Sequence, residues 1–151
     1  MRLPEHLTLL YEPLVDLKSR KAVAVQAGLR WSSRFERENP ESFKEVSHWR
    51  FAHHRPEVDL PLIHVVFEHM RDWAETGTLV RACIPVVADT LGHPKLLSTL
   101  LHAARETGVP TERLELGLTP ESGIADLPAV LENIEGMRKH GVKLALLGFG
   151  V

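Results

Sequence analysis

Histidines, carboxylates and a single thiol are the side chains here that could do chemistry, and their spacing decides which chemistry is open. Nine histidines invite a metal reading. His53 and His54 are adjacent, so in any regular element they point different ways. His64 and His69 are five apart, which does not stack them on one helix face as a four-residue step would. The spacing therefore gives scattered, mostly solvated histidines rather than paired ligands. Cys83 is the sole cysteine and cannot close an internal disulfide; its apolar neighbours make it a small buried residue rather than a reactive thiol. Gly148-Phe149-Gly150 lacks the spacing and the following helix of a phosphate-binding loop. Trp31, Trp49 and Trp73 read as core or interface residues, not as a platform for stacking bases.

The elements that position these residues alternate. Leu7–Tyr11 and Leu14–Leu17 run into the polar turn Lys18–Lys21, and Ala22–Trp31 resumes an apolar run; two extended segments about a charged turn predict a hairpin. Ser32–Asn39 is polar without an apolar period and reads as a loop, and Pro40–Phe43 could open a short helix. From Asp59, Leu62, Val65, Val66, His69, Met70 and Trp73 fall at helical steps, with Gly77 as the stop. A strand is predicted over Leu79–Val87, a helix on Leu96, Leu97, Leu100, Leu101 and Ala104, and a strand over Arg113–Leu118. A third helix on Leu127, Val130, Leu131, Ile134 and Met137 and a last strand over Val142–Leu147 complete the series. After the hairpin the order is helix, strand, helix, strand, helix, strand. That order predicts an α/β fold of parallel strands joined by helical crossovers, as a barrel or a doubly wound sheet.

The 151 residues suffice for one domain with its own core. Hydrophobic residues make up 44% and charged residues 25%, ordinary values for a globular chain. The formal net charge is −2, and no basic stripe offers a nucleic-acid footprint. The opening Met1–His6 carries an acid and a proline before any apolar run, so it does not read as a secretory leader, and no apolar run reaches the ~20 residues of a membrane span. With one cysteine, a reducing cytoplasm is the expected compartment.

Five segments, in order, resemble the EAL family, bacterial phosphodiesterases of cyclic di-GMP and their non-catalytic relatives. Tyr11-Glu12-Pro13-Leu14-Val15-Asp16 resembles the family's opening strand, Tyr-Gln-Pro-Ile-Val-Asp. Gln26-Ala27-Gly28-Leu29-Arg30-Trp31 resembles the naming segment, Glu-Ala-Leu-Leu-Arg-Trp. Ile84-Pro85-Val86-Val87 stands where the family has Val-Asn-Leu-Ser, with Pro94 matching a common downstream proline. Leu114-Glu115-Leu116-Gly117-Leu118-Thr119 resembles Leu-Glu-Leu-Glu-Ile-Thr, and Gly141–Gly150 resembles a segment ending Ala-Leu-Asp-Asp-Phe-Gly. The resemblance covers nearly the whole chain, most thinly over Ser32–Val58. It implies one EAL-like domain over residues 1–151, a partial TIM-like barrel that lacks the C-terminal part of the fold.

The departures fall on the positions that the resemblance makes functional. Metal-ligand positions carry Gln26, Pro85, Gly117, Leu147 and Gly148, and Glu12 replaces a glutamine near the ligand. Two-metal hydrolysis needs hard cations held by oxygen donors, chiefly carboxylates. Gln26 still offers a carbonyl; proline, glycine and leucine side chains offer none. The expectation is therefore no catalytic residue, no metal, no cofactor and no phosphodiesterase activity. Glu115 and Glu121 remain near these positions and read as solvated or capping acids. Arg30 matches an arginine that contacts a ligand phosphate in the family. Here it reads first as a structural ion pair at a strand end, because the Glu12 carboxylate opposes a dianionic ligand.

The leading expectation is thus a catalytically inactive regulatory or protein-interaction module in bacterial signalling. The alternative is a non-hydrolysing cyclic di-GMP receptor with Arg30 as anchor, and the third reading is an active phosphodiesterase. Five strand-forming segments cannot close a barrel that takes eight. The apolar last strand then leaves an open edge, so self-association or a protein partner is expected, with no nucleic acid and no membrane as partner.

Overall fold

A computed structural model describes residues 2–31, 54–119 and 123–148. The loop expected over Ser32–Asn39, the short helix expected at Pro40–Phe43, and Trp49, His53 and Glu121 lie outside the described residues.

The predicted hairpin is β1, Leu7–Val15, paired antiparallel with β2, Ala22–Trp31. β1 runs on through Pro13, which pairs with Val25. A proline is tolerated there because β1 is an edge strand, where a missing N–H costs no inner ladder bond. There follow α1 (Pro56–Glu75), β3 (Arg81–Val86), the one-turn α2 (Ala88–Leu91), α3 (Leu96–Thr107), a 3-10 turn (Thr111–Arg113), β4 (Leu114–Leu118), α4 (Leu127–Lys139) and β5 (Lys143–Leu146).

The strands lie in sequence order, β1-β2-β3-β4-β5, and every pair after the hairpin is parallel. This order settles the choice left open by the alternation of elements. A doubly wound sheet reverses direction at a switch point, whereas here each crossover adds its strand on the same side, as in a TIM-like barrel. The fold is α/β with a mixed five-stranded sheet.

The core fills one face of the sheet. Ala27, Leu29, Ala82, Ile84, Val86, Leu114 and Leu116 meet Leu62, Ile63, Val66, Phe67 and Met70 of α1, Leu96, Leu100 and Ala103 of α3, and Val130 and Met137 of α4. Ile63 and Phe67 broaden the buried face of α1 beyond the stripe read from the sequence, because α1 packs on both the sheet and α3. Gly77, Gly108 and Gly141 follow α1, α3 and α4 with φ of +83°, +70° and +74°, conformations that glycine adopts without a Cβ penalty. Asp126 caps α4, its side chain accepting from the Ala129 N–H at 3.0 Å. Among the described residues no helix is long and apolar enough to cross a membrane.

Candidate functional site

Side chains alternate along a strand, so the residues between the core positions line the opposite face of the sheet. Gln26, Gly28 and Arg30 of β2 alternate there with Ala27 and Leu29, and the register sets Glu12 against Gln26 and Leu10 against Gly28. Cys83 lies beside Gln26 in the register and beside Glu115; Pro85 is registered with Gly117, and Gly117 with Ala145. The positions singled out on β1 to β4 thus share one face, with Gln26 at the level of Cys83 and with Pro85 and Gly117 nearer the carboxyl ends of the parallel strands. That is where barrels of this class carry their sites.

Two features shape this face. The β2–β3 pairs end at Gln26↔Cys83. Two residues further on, Pro85 has no N–H to offer a neighbouring strand. The seam opens into a small concavity lined by Leu10, Glu12, Gln26, Gly28, Arg30 and Pro85, among others. Arg30 is exposed at its rim.

The second feature is a packing contact. Gly117 is buried, and a Cβ built on it would lie 2.6 Å from Leu147 Cδ1, 2.7 Å from Cγ and 3.0 Å from Cδ2. The head of Leu147 therefore occupies the volume that any side chain at 117 would need. The Leu147 N–H donates to the Leu118 carbonyl at 2.9 Å, which carries the β4–β5 ladder one residue past β5 and fixes Leu147 over Gly117. Gly148 follows at φ +68°, a conformation that L side chains rarely adopt. Two positions that the resemblance sets against metal ligands thus carry no donor and fill one another's space, a third holds a backbone that disfavours a side chain, and Pro85 lacks a donor atom. These residues do not fit a pair of divalent cations.

Glu115 stands one layer nearer the amino ends of the strands, beside Cys83 and Lys143 in the register. Burial pushes the Cys83 thiol up to about 12, with the Glu115 carboxylate adding to the shift, so Cys83 is held as the neutral thiol.

Sequence reasoning missed a polar network that supports the face from below. Asp59, in the first turn of α1, is fully buried; His54 Nδ1 stands 2.6 Å from Asp59 Oδ1, and the Thr90 hydroxyl donates to Asp59 Oδ2 at 2.6 Å. The Val87 N–H also reaches Asp59 Oδ2, at 3.5 Å. This ties α1 to the loop leaving β3, just after Pro85. The solvated reading of the histidines fails at His54, which is buried. It fails in part at His69, whose Nδ1 lies 2.7 Å from the Tyr11 hydroxyl. Nothing in local spacing signals these contacts, because Thr90 and Tyr11 come from distant parts of the chain. Trp73 packs against the core and edge-on to Tyr11, as expected of a core tryptophan.

Known proteins place the chain. The sequence profile of the EAL domain matches residues 3–151. An uncharacterised protein of Synechocystis is 23% identical over 94% of this chain and 20% of its own length. An uncharacterised protein of Mycobacterium tuberculosis is 25% identical over 95% of this chain and 47% of its own length. Among solved structures, the PaMucR phosphodiesterase in complex with c-di-GMP superposes at a TM-score of 0.69, with 20% identity over 97% of this chain and 62% of that one. The EAL domain of Mycobacterium smegmatis DcpA gives the same score with 19% identity, over 95% of this chain and 56% of that one. The chain therefore spans about half, or less, of the curated relatives and under two thirds of the solved structures. The solved structures share its fold, and the profile that runs over nearly all of its sequence shows that the chain belongs to the EAL domain family.

Proposed function

We propose that this chain is a non-catalytic EAL domain, a regulatory or protein-interaction module of cyclic di-GMP signalling in the bacterial cytoplasm. The observation that carries the reading is the seating of Leu147 over Gly117. Where a phosphodiesterase of this family needs oxygen donors, this sheet has an apolar plug on a glycine, with Pro85 beside it. One lost ligand can be replaced by water; a filled site leaves no room for the replacement. The test is incubation of the purified chain with cyclic di-GMP and Mg²⁺ or Mn²⁺. No linear dinucleotide above the protein-free control is expected, and product that rises with protein concentration refutes the reading.

A second reading, binding without hydrolysis, is favoured by the concavity between Gln26, Gly28, Arg30 and Pro85. PaMucR and the EAL domain of Xanthomonas citri FimX are both described in complex with this dinucleotide. The Glu12 carboxylate on the same face opposes it. Isothermal titration decides between the two. If heat of binding is found, Arg30→Ala should weaken it by about 1.5–3 kcal/mol, the value of a charge-assisted hydrogen bond; tight binding indifferent to that change places the ligand elsewhere.

The interaction role rests on the edge. Among the described residues β5 pairs with β4 alone, and Leu144 and Leu146 of β5 and Leu127 and Leu131 of α4 are exposed. Main-chain pairing at β5, by a following segment of a longer chain, by a second copy or by a partner, is the expected way to cover them.

A further inference from the structure

We infer that α1 and α3 carry a binding site for a late first-row divalent cation, with Zn²⁺ as its probe, built from His64, Glu68, His102 and Glu106. The site lies on the helical layer, away from the sheet face described above. His64 and Glu68 stand four apart on α1, and His102 and Glu106 stand four apart on α3, so each helix presents one imidazole and one carboxylate on a single face. Packing of α1 on α3 brings the two pairs together. Glu106 sits between the imidazoles, with Oε2 3.5 Å from His64 Nε2 and Oε1 3.3 Å from His102 Nε2; Glu68 Oε1 lies 3.6 Å from His64 Nε2. The two rings are close to parallel, at 22°, with centroids 6.3 Å apart, and both turn the Nε2 edge toward Glu106.

The three imidazole–carboxylate separations match the chemistry. Zn–N and Zn–O bonds of about 2.0–2.2 Å put neighbouring donors of a tetrahedron about 3.3–3.6 Å apart. Two imidazoles and two carboxylates form a donor set that suits Zn²⁺ better than Mg²⁺ or Ca²⁺, which take oxygen donors alone. Among the described residues no three such groups already stand converged as around a bound ion. Convergence on an ion therefore requires rotation about exposed side chains: His102, Glu106 and Glu68 are 63%, 49% and 43% exposed, while His64, at 14%, is the more fixed ligand. As plain ion pairs the same contacts would need protonated imidazoles; as neutral Nδ1–H tautomers both imidazoles present Nε2 lone pairs beside two carboxylates. A cation there would clamp α1 to α3 and so stabilise the layer that backs the sheet.

The test is isothermal titration of the whole chain with Zn²⁺, paired with thermal unfolding. One equivalent should bind with micromolar affinity and raise the melting temperature. His102→Ala and Glu106→Gln, both at exposed positions that do not threaten the fold, should each weaken binding at least tenfold and abolish the thermal shift. His140→Ala, at an exposed histidine after α4, should change neither. Absence of saturable binding overturns the proposal, and so does one-equivalent binding that survives His102→Ala.

Discussion

Seating Leu147 on Gly117 can be tested as a double-mutant cycle. Gly117→Ala adds one methyl group at 2.6–3.0 Å from three atoms of Leu147, closer than real contacts come. Because Cγ is among the three, the whole head of the leucine must move rather than one terminal methyl. Overpacking of a filled site costs about 1–3 kcal/mol. Leu147 is only half-buried, so it can turn outward, which sets the cost near the burial it forfeits, about 1–1.5 kcal/mol. Alanine lowers the entropy of the unfolded chain and returns about 0.4–1 kcal/mol. The expected net loss is therefore at most about 1 kcal/mol, or a melting temperature lower by up to about 4 °C in a chain of this size. Leu147→Ala alone should cost about 1–1.5 kcal/mol through lost burial. In the double variant the added methyl group meets no obstruction, so the two costs should fall short of additive by about 1 kcal/mol, a coupling typical of residues in contact. Urea unfolding followed by circular dichroism measures all four corners. If Gly117→Ala is neutral or stabilising, and additive with Leu147→Ala, Leu147 does not sit on Gly117 and the account of a filled site fails.

Three further outcomes are expected. Asp59→Ala removes a fully buried carboxylate from both His54 and Thr90; breaking such a buried pair should cost about 3–5 kcal/mol in urea unfolding, and a loss under 1 kcal/mol would show the network to be idle. Cys83 is held protonated to about 12 in the fold, against an ordinary value of 9.0. Between those values the unfolded chain releases the proton and the native chain keeps it, so stability should fall as pH rises from 9 toward 12. Cys83→Ala should flatten that slope, and an unchanged slope refutes the assignment; Tyr11, whose hydroxyl burial also pushes up, supplies a further loss that the variant retains. Sedimentation over a concentration series should show association, relieved by Leu146→Lys at the exposed β5 edge; a compact monomer at every concentration argues against pairing through that edge.

The amino-acid sequence makes the order of elements legible because each helix has a continuous apolar stripe and a glycine stop, and each inner strand a short apolar run. It leaves α2 unseen, since four residues, Ala88–Leu91, are too few to show a period. The early start of α1 at Pro56 is also hidden, because the first turn buries Asp59, a residue that composition sends to the surface. The candidate face was legible as a series of separate substitutions. Their relation was not: Gly117 and Leu147 lie thirty positions apart, and only the β4–β5 register makes one the occupant of the other's space. The pairing of His64 with His102 is invisible for the same reason, since helix packing rather than spacing joins them.

The sequential order of the strands also bears on how the chain reaches its fold. Each described strand after β1 finds a partner in the strand made just before it, so these pairings need not wait for a distant segment to be synthesised. The hairpin β1–β2 can form first, β3 can dock once α1 has emerged, and each later helix–strand unit adds to a template already present. Backbone amides should record that history as a gradient of protection from hydrogen exchange. Protection should be strongest in β3, which has strands on both sides and α1 packed over it, and weakest in β5, which among the described strands is held from one side.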